Sequence, residues 1–192
     1  MSMHSEKNLS DEAIVKAAQK DLAHFAILVE RYEQKLKYYI LRISNFSELE
    51  AEEILQDVFV KAWKNLNGFD ETLKFSSWIY RITHNETISA FRKSKSRGEE
   101  NRSIIEPELF ENLPDENNFI EEIDQKMTAV EVQTILKTLP ENYREVLILR
   151  FIEDKSYEEM SDILMKPGGT IATLLNRAKT QFKESYQRQF TS

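Results

Sequence analysis

Apolar residues recur at helical spacing along most of this chain. Ile14, Ala17 and Ala18, then Phe25, Leu28, Val29, Tyr32, Leu36, Tyr39, Ile40 and Ile43, follow the three-and-four rhythm of helices with one buried face. Ser10 stands at a predicted helix N-cap, with Asp11 and Glu12 behind it, where the helix dipole favours acids. Ser47 and Glu50 have the S-x-x-E spacing of a capping box and predict the start of a second long helix. Its predicted apolar face is Leu55, Val58, Phe59, Ala62, Trp63 and Leu66; its polar face is Glu53, Gln56, Asp57, Lys61 and Lys64. The turn NLNGFDE leads into a third helix from near Ser76 to the basic residues near 92, with Trp78, Ile79, Ile82 and Phe91 inward.

The pattern resumes near Gln125. Met127, Val130, Ile135 and Leu136 predict one helix, ending at Leu139-Pro140, and Tyr143, Val146, Leu147, Leu149 and Phe151 predict another. Ser156 to Glu159 opens a third, with Met160, Ile163 and Leu164 as its apolar residues. Lys166 to Gly169 reads as a turn. A fourth helix from near Thr170 aligns Ile171, Leu175, Ala178 and Phe182 in one stripe. Helix, short turn, helix is the outline of a helix-turn-helix, and also of a plain αα-hairpin.

Composition narrows the class. A chain of 192 residues predicts one or two small domains, and four glycines with four prolines argue against an all-β fold. The absence of cysteine excludes a disulfide framework and a thiolate nucleophile or metal site. No apolar run approaches the roughly 20 residues of a membrane span, and the first residues lack the apolar core of a secretory signal. A cytoplasmic location without membrane attachment is expected. His4, His24 and His84 are scattered without metal-ligand spacing, and Gly168-Gly169 lacks the rest of a phosphate-binding loop. The expectation is a non-enzyme with no catalytic residues, metal or cofactor.

The net charge of −7 at first argues against a polyanionic partner. Position reverses that reading. Residues 98–125 alone sum to −9, and the flanking parts sum to +1 each. Within the flanks, 74–97 carry +5 and 166–192 carry +4. The acidic segment holds two prolines and no sustained helical period, so it reads as a linker. Ile104, Ile105, Leu109, Phe110 and Phe119 give it apolar groups with which to dock.

Three strings occur in order: AEEILQDVFVKAWKNLNGFD (51–70), FSSWIYRITHNETISAFRK (75–93) and LPENYREVLILRFIEDKSYEEMSDIL (139–164), the last followed by GGTIATLLNRAK (168–179). Together they resemble the extracytoplasmic-function (ECF) subfamily of sigma-70 sigma factors, over about residues 11–185. The resemblance implies an all-α fold of two small helical domains. One is an N-terminal helical bundle of sigma-two type (10–97), which binds core polymerase and recognises and melts the −10 element. The other is a C-terminal four-helix domain with a helix-turn-helix of sigma-four type (126–186), placed near the −35 region and the polymerase flap. The acidic linker (98–125) joins them.

The same resemblance implies roles for residues. Glu53, Gln56, Asp57 and Lys61 dock on the clamp helices of the largest polymerase subunit, with Asp57 able to pair with an arginine. An exposed Phe69 in the loop, followed by Lys74, Trp78, Arg81, Asn85, Arg92 and Lys93, meets the −10 element. Phe69 and Asn85 match the positions that frame the pocket for a flipped base, and cations hold the phosphates. On spacing alone Trp78 reads as a core residue, and the other reading of Phe69 is a turn-flanking core residue. The family often has an acid or amide where this chain has Ser89. Thr170, Thr173, Asn176, Arg177 and Lys179 meet the −35 region.

Family members commonly read G-T-V-K-S-R-L-x-R-A-R in the last of these helices. This chain has Ala172 and Leu174 at two of the basic positions on the expected outer face. Each lost phosphate contact removes roughly 0.9 log units of salt slope, so intrinsic −35 reading is expected to be weak. The implied partners are core RNA polymerase, promoter DNA and an anti-sigma factor or other regulatory protein. Two other readings stay open: a free-standing helix-turn-helix regulator, and a helical adaptor that binds only protein.

Overall fold

The computed structural model describes residues 9–96 and 127–190. The acidic segment 98–125 and its apolar residues lie outside them. Among the described residues all regular structure is helical, and the chain divides into two compact units.

The first unit holds α1 (Asp11–Lys20), α2 (Phe25–Ile43), α3 (Glu48–Asn65) and α4 (Phe75–Ser96). Ser10 caps α1, its hydroxyl accepting from the Ala13 N–H at 3.2 Å. Asp21 breaks the apolar run that continues into α2: its backbone is extended, and its carboxylate accepts from the Ala23 N–H in a short 3-10 turn, Leu22–His24. The Ser47–Glu50 box opens α3 as the sequence predicts, with both reciprocal hydrogen bonds formed. The Ser47 N–H and hydroxyl hold the Glu50 carboxyl below the ordinary glutamate range.

Burial differs from expectation on α3. Its inner face is Ala51, Ile54, Val58 and Ala62, with Leu55 and Phe59 half-buried beside it. Trp63, predicted inward, is 46% exposed. One residue past Ala62 turns a side chain about 100°, which carries the indole off the contact with α2 and α4. The alanines at 51 and 62 let those neighbours approach closely, and each fully buried Ile or Val contributes about 1.5–3 kcal/mol. On α4, Ile79 is buried as predicted, while Ile82 and Phe91 are half-buried.

The second unit holds α5 (Ala129–Thr138), α6 (Glu141–Leu147), α7 (Tyr157–Leu164) as far as Ser161, and α8 (Gly168–Phe190), with α8 packed on α5 and α6. Thr128 and Glu131 form a capping box that opens α5. This leaves Val130, predicted on the apolar face, 75% exposed in the first turn. Arg144 is buried because its guanidinium serves the orphan carbonyls at the end of α5. Its Nε donates to the Leu136 carbonyl at 2.8 Å, and its Nη2 donates to those of Lys137 and Leu139. α6 runs into a π turn, Ile148–Ile152, closed by the Glu153 N–H on the Ile148 carbonyl at 3.0 Å.

Ser156 and Glu159 cap α7, and Met165 ends it in the left-handed region, φ 53°. The last helix starts two residues before the predicted Thr170. The Pro167 carbonyl accepts from the Thr170 and Ile171 N–H groups, which draws Gly168 and Gly169 into the first turn.

Candidate functional site

Three surfaces carry the residues singled out from sequence. On α3, Glu53, Gln56 and Asp57 are exposed on the side away from Ala51, Ile54 and Val58. Exposed Leu49, Val60 and Trp63 share that side, at successive steps of four and three with Glu53 and Gln56 between them. Ion pairs frame the strip on both edges. Lys37 of α2 binds Glu48 at 2.6 Å and Glu52 at 2.8 Å, and these carboxylates hold its ammonium above the ordinary lysine range. Lys61 pairs with Glu86 of α4 on the other edge, so its charge is already engaged within the unit. The strip is therefore apolar with acid and amide in its middle, a surface suited to another protein's helices more than to phosphate. The sequence pattern missed Leu49, Val60 and Trp63; the signal was the Ala51–Ile54–Val58–Ala62 spacing, which fixes the opposite face.

The second surface is the 66–75 loop and α4. Phe69, expected to be exposed, is only 6% exposed. Its ring meets Phe75 edge-on at 5.9 Å and Trp78 at 5.3 Å, and Phe75 in turn meets Tyr32 at 5.6 Å. A ring that far from water among three others belongs to the core, and the expectation of a free aromatic at this position is corrected. Trp78, at 9%, belongs to the same cluster, as its spacing indicated. The loop itself is tightened by Asp70, whose carboxylate accepts from the Thr72 N–H at 2.9 Å and hydroxyl at 2.7 Å. Those bonds, the hydroxyl's first, lower the Asp70 pKa.

Beyond the loop, Ile79, Thr83 and Thr87 form the buried side of α4. Arg81, Asn85, Ser89 and Arg92 form the opposite ridge, with Asn85, Ser89 and Arg92 exposed and Arg81 half-buried. Lys74 is exposed just ahead of the helix, and Lys93 is exposed on its flank. A ridge of guanidinium, amide, hydroxyl and guanidinium can hold phosphates and bond to base edges.

The third surface is the outer side of α8. Thr170 and Thr173 are exposed, and Asn176 and Arg177 are half-buried. The Thr173 hydroxyl donates to the Gly169 carbonyl at 2.9 Å. Two expectations fail here. Lys179 is buried, 1% exposed, and Leu174, expected on the outer face, is buried as well. Both sit on the shoulders of the Ile171–Leu175–Ala178–Phe182 stripe, and the buried arc of this helix is wide enough to include them.

Residues 28–97 match the family described as Sigma-70 region 2, and residues 129–182 match Sigma-70, region 4. The ECF RNA polymerase sigma factor SigW of Bacillus subtilis is 31% identical, over 88% of this chain and 91% of that protein. Two solved structures share the fold. CnrH, solved with the cytosolic domain of CnrY, gives a TM-score of 0.65 at 20% identity, covering 93% of this chain and 98% of that one. The sigma factor RpoE of Bartonella quintana, solved with the anti-sigma factor NepR, gives 0.64 at 22% identity, covering 86% and 98%.

Proposed function

The chain belongs to the ECF sigma factors of the sigma-70 family, and on that footing we propose how its surfaces divide promoter recognition. As a sigma factor it binds core RNA polymerase and directs transcription initiation at promoters; it is not an enzyme. We infer that residues 10–97 form the unit that binds core and opens the −10 element, residues 126–186 the unit near −35, and residues 98–125 the linker. Its work is done in the cytoplasm, where its polymerase is.

The observation that carries the −10 assignment is the α4 ridge of Arg81, Asn85, Ser89 and Arg92, set opposite a fully buried side. Phosphate contacts from the arginines position the strand, and Asn85 supplies donor and acceptor to a base edge. With Phe69 and Trp78 in the core, capture of a base falls to polar groups and backbone of the loop. Core polymerase meets the α3 strip through Glu53, Gln56, Asp57 and the apolar Leu49, Val60 and Trp63. Of the two cations assigned to −35, Arg177 alone keeps exposed surface, which supports weak intrinsic reading there. A protein that covers these faces in the free state is the expected regulator, a reading supported by the RpoE–NepR likeness.

Reconstitution with core polymerase tests the proposal. Purified chain plus core is expected to start transcripts from a template pre-melted at −10. Asp57→Arg is expected to abolish that activity and core binding, with the helical circular dichroism unchanged. Core-independent binding to duplex DNA, with no transcript from the pre-melted template, would refute it.

A further inference from the structure

The structure assigns a positioning role to α1: through Glu12, Lys16 and Gln19 it holds the 66–75 loop in the shape that presents the α4 ridge to DNA. This inference rests on the −10 reading of that ridge.

The geometry is a three-point brace. Residues 12, 16 and 19 fall at steps of four and three, on one side of α1. Glu12 accepts from the Phe75 N–H at 3.4 Å, where α4 begins. Lys16 pairs with Glu71 at 2.8 Å, in the middle of the loop. Gln19 Nε2 donates to the Leu66 carbonyl at 3.0 Å, where the loop begins. The start, middle and end of one loop are thus bound by one stripe of one helix.

That stripe is distinct from the face by which α1 itself is fixed. Ile14, Val15 and Ala18 are its buried residues. At its first turn, Asp11 accepts from Arg31 at 2.6 Å and from the Tyr32 hydroxyl, and Arg31 also donates to the Leu9 carbonyl at 2.7 Å. One edge of α1 is anchored to α2 and the other holds the loop. Inside the loop, the Asp70–Thr72 bonds and the buried rings of Phe69 and Phe75 leave little slack. A displacement at residues 66–75 therefore moves the N-terminal end of α4 and the ridge it carries.

The test uses the full chain as holoenzyme, on a promoter taken from a map of transcription starts in cells expressing it. Permanganate reactivity reads opening of the −10 region, and core affinity is measured in parallel. Gln19→Leu is expected to lower opening about three- to fivefold, with core affinity within about twofold of wild type. Lys16→Glu and Glu71→Lys are each expected to lower it about twofold, and the double variant to restore it. A merely structural role would depress core binding and opening together, and that outcome overturns the inference. So does failure of the charge swap to restore opening, or no effect from any of the three single variants. If Asn85→Ala also leaves opening unchanged, the −10 reading falls with it. If Asn85→Ala abolishes opening while α1 variants do nothing, the brace alone is wrong.

Discussion

Replacing Phe69 by alanine separates a core ring from a DNA-contacting one. The ring is 6% exposed and meets two aromatic neighbours within 6 Å, Phe75 at 5.9 Å and Trp78 at 5.3 Å. Burying a phenylalanine contributes about 1.5–3 kcal/mol, and each edge-on ring pair adds about 0.5–1.5 kcal/mol. The expected loss is therefore about 3–5 kcal/mol, the usual range for Phe→Ala in a core. Urea denaturation followed by tryptophan fluorescence measures it cleanly. The chain's two tryptophans, Trp63 and Trp78, both lie in the first unit, so the signal reports that unit alone. With a slope of about 1.5 kcal/mol per M, the midpoint should fall by about 2–3 M. Phe69→Leu should recover more than half of that. A midpoint within about 0.5 M of wild type, combined with loss of −10 opening, would mean the ring lies outside the core and acts on DNA directly.

Three further outcomes are expected. Ser156→Ala removes the α7 cap and should cost the second unit about 1 kcal/mol, read by circular dichroism at 222 nm on thermal unfolding, with the tryptophan-monitored transition unmoved. Glu50 has a folded pKa below its ordinary value, so its contribution is complete above the ordinary glutamate range and is lost as pH falls through the lowered value. Glu50→Gln should flatten that acid limb, and a limb of unchanged slope would contradict the cap. Arg92→Ala should lower the salt dependence of promoter binding by about 0.9 log units per log unit of salt; an unchanged slope would take Arg92 off the phosphates.

Most helices were legible because their ends and faces are local properties. Ser10, Ser47 and Ser156 cap the helices that their spacing predicts, and hydrogen bonds over three residues need no tertiary partner. Faces were legible only at their centres. The Ile171–Leu175–Ala178–Phe182 stripe is buried as its period says. Leu174 and Lys179 stand about 60–80° to either side of its midline, where burial depends on how much surrounds the helix, and one sequence does not encode that locally. Trp63 failed for the opposite reason. Its spacing from Phe59 and Leu66 suggested a core residue, but the small Ala51 and Ala62 set the contact. Phe69 lies in a turn, where there is no period to judge by, and its burial follows from Phe75 and Trp78 arriving from α4. The α1 brace was invisible because Glu12, Lys16 and Gln19 look like any solvated helical stripe until residues 66–75 are seen beside them.

The π turn at Ile148–Ile152 has a consequence for how the second unit tolerates length changes. A π turn is an α-helix with one residue too many in it. Deleting one residue between 148 and 152 would close with four residues, as an α turn, what five now close as a π turn, so the chain beyond it keeps nearly the same azimuth. Ser156, α7 and the start of α8 would then leave α6 in nearly their present direction. The same deletion inside an ordinary α turn would rotate everything after it by about 100°, so the extra residue makes this the one place among the described helices where the helix-turn-helix keeps its aim through the loss of a codon.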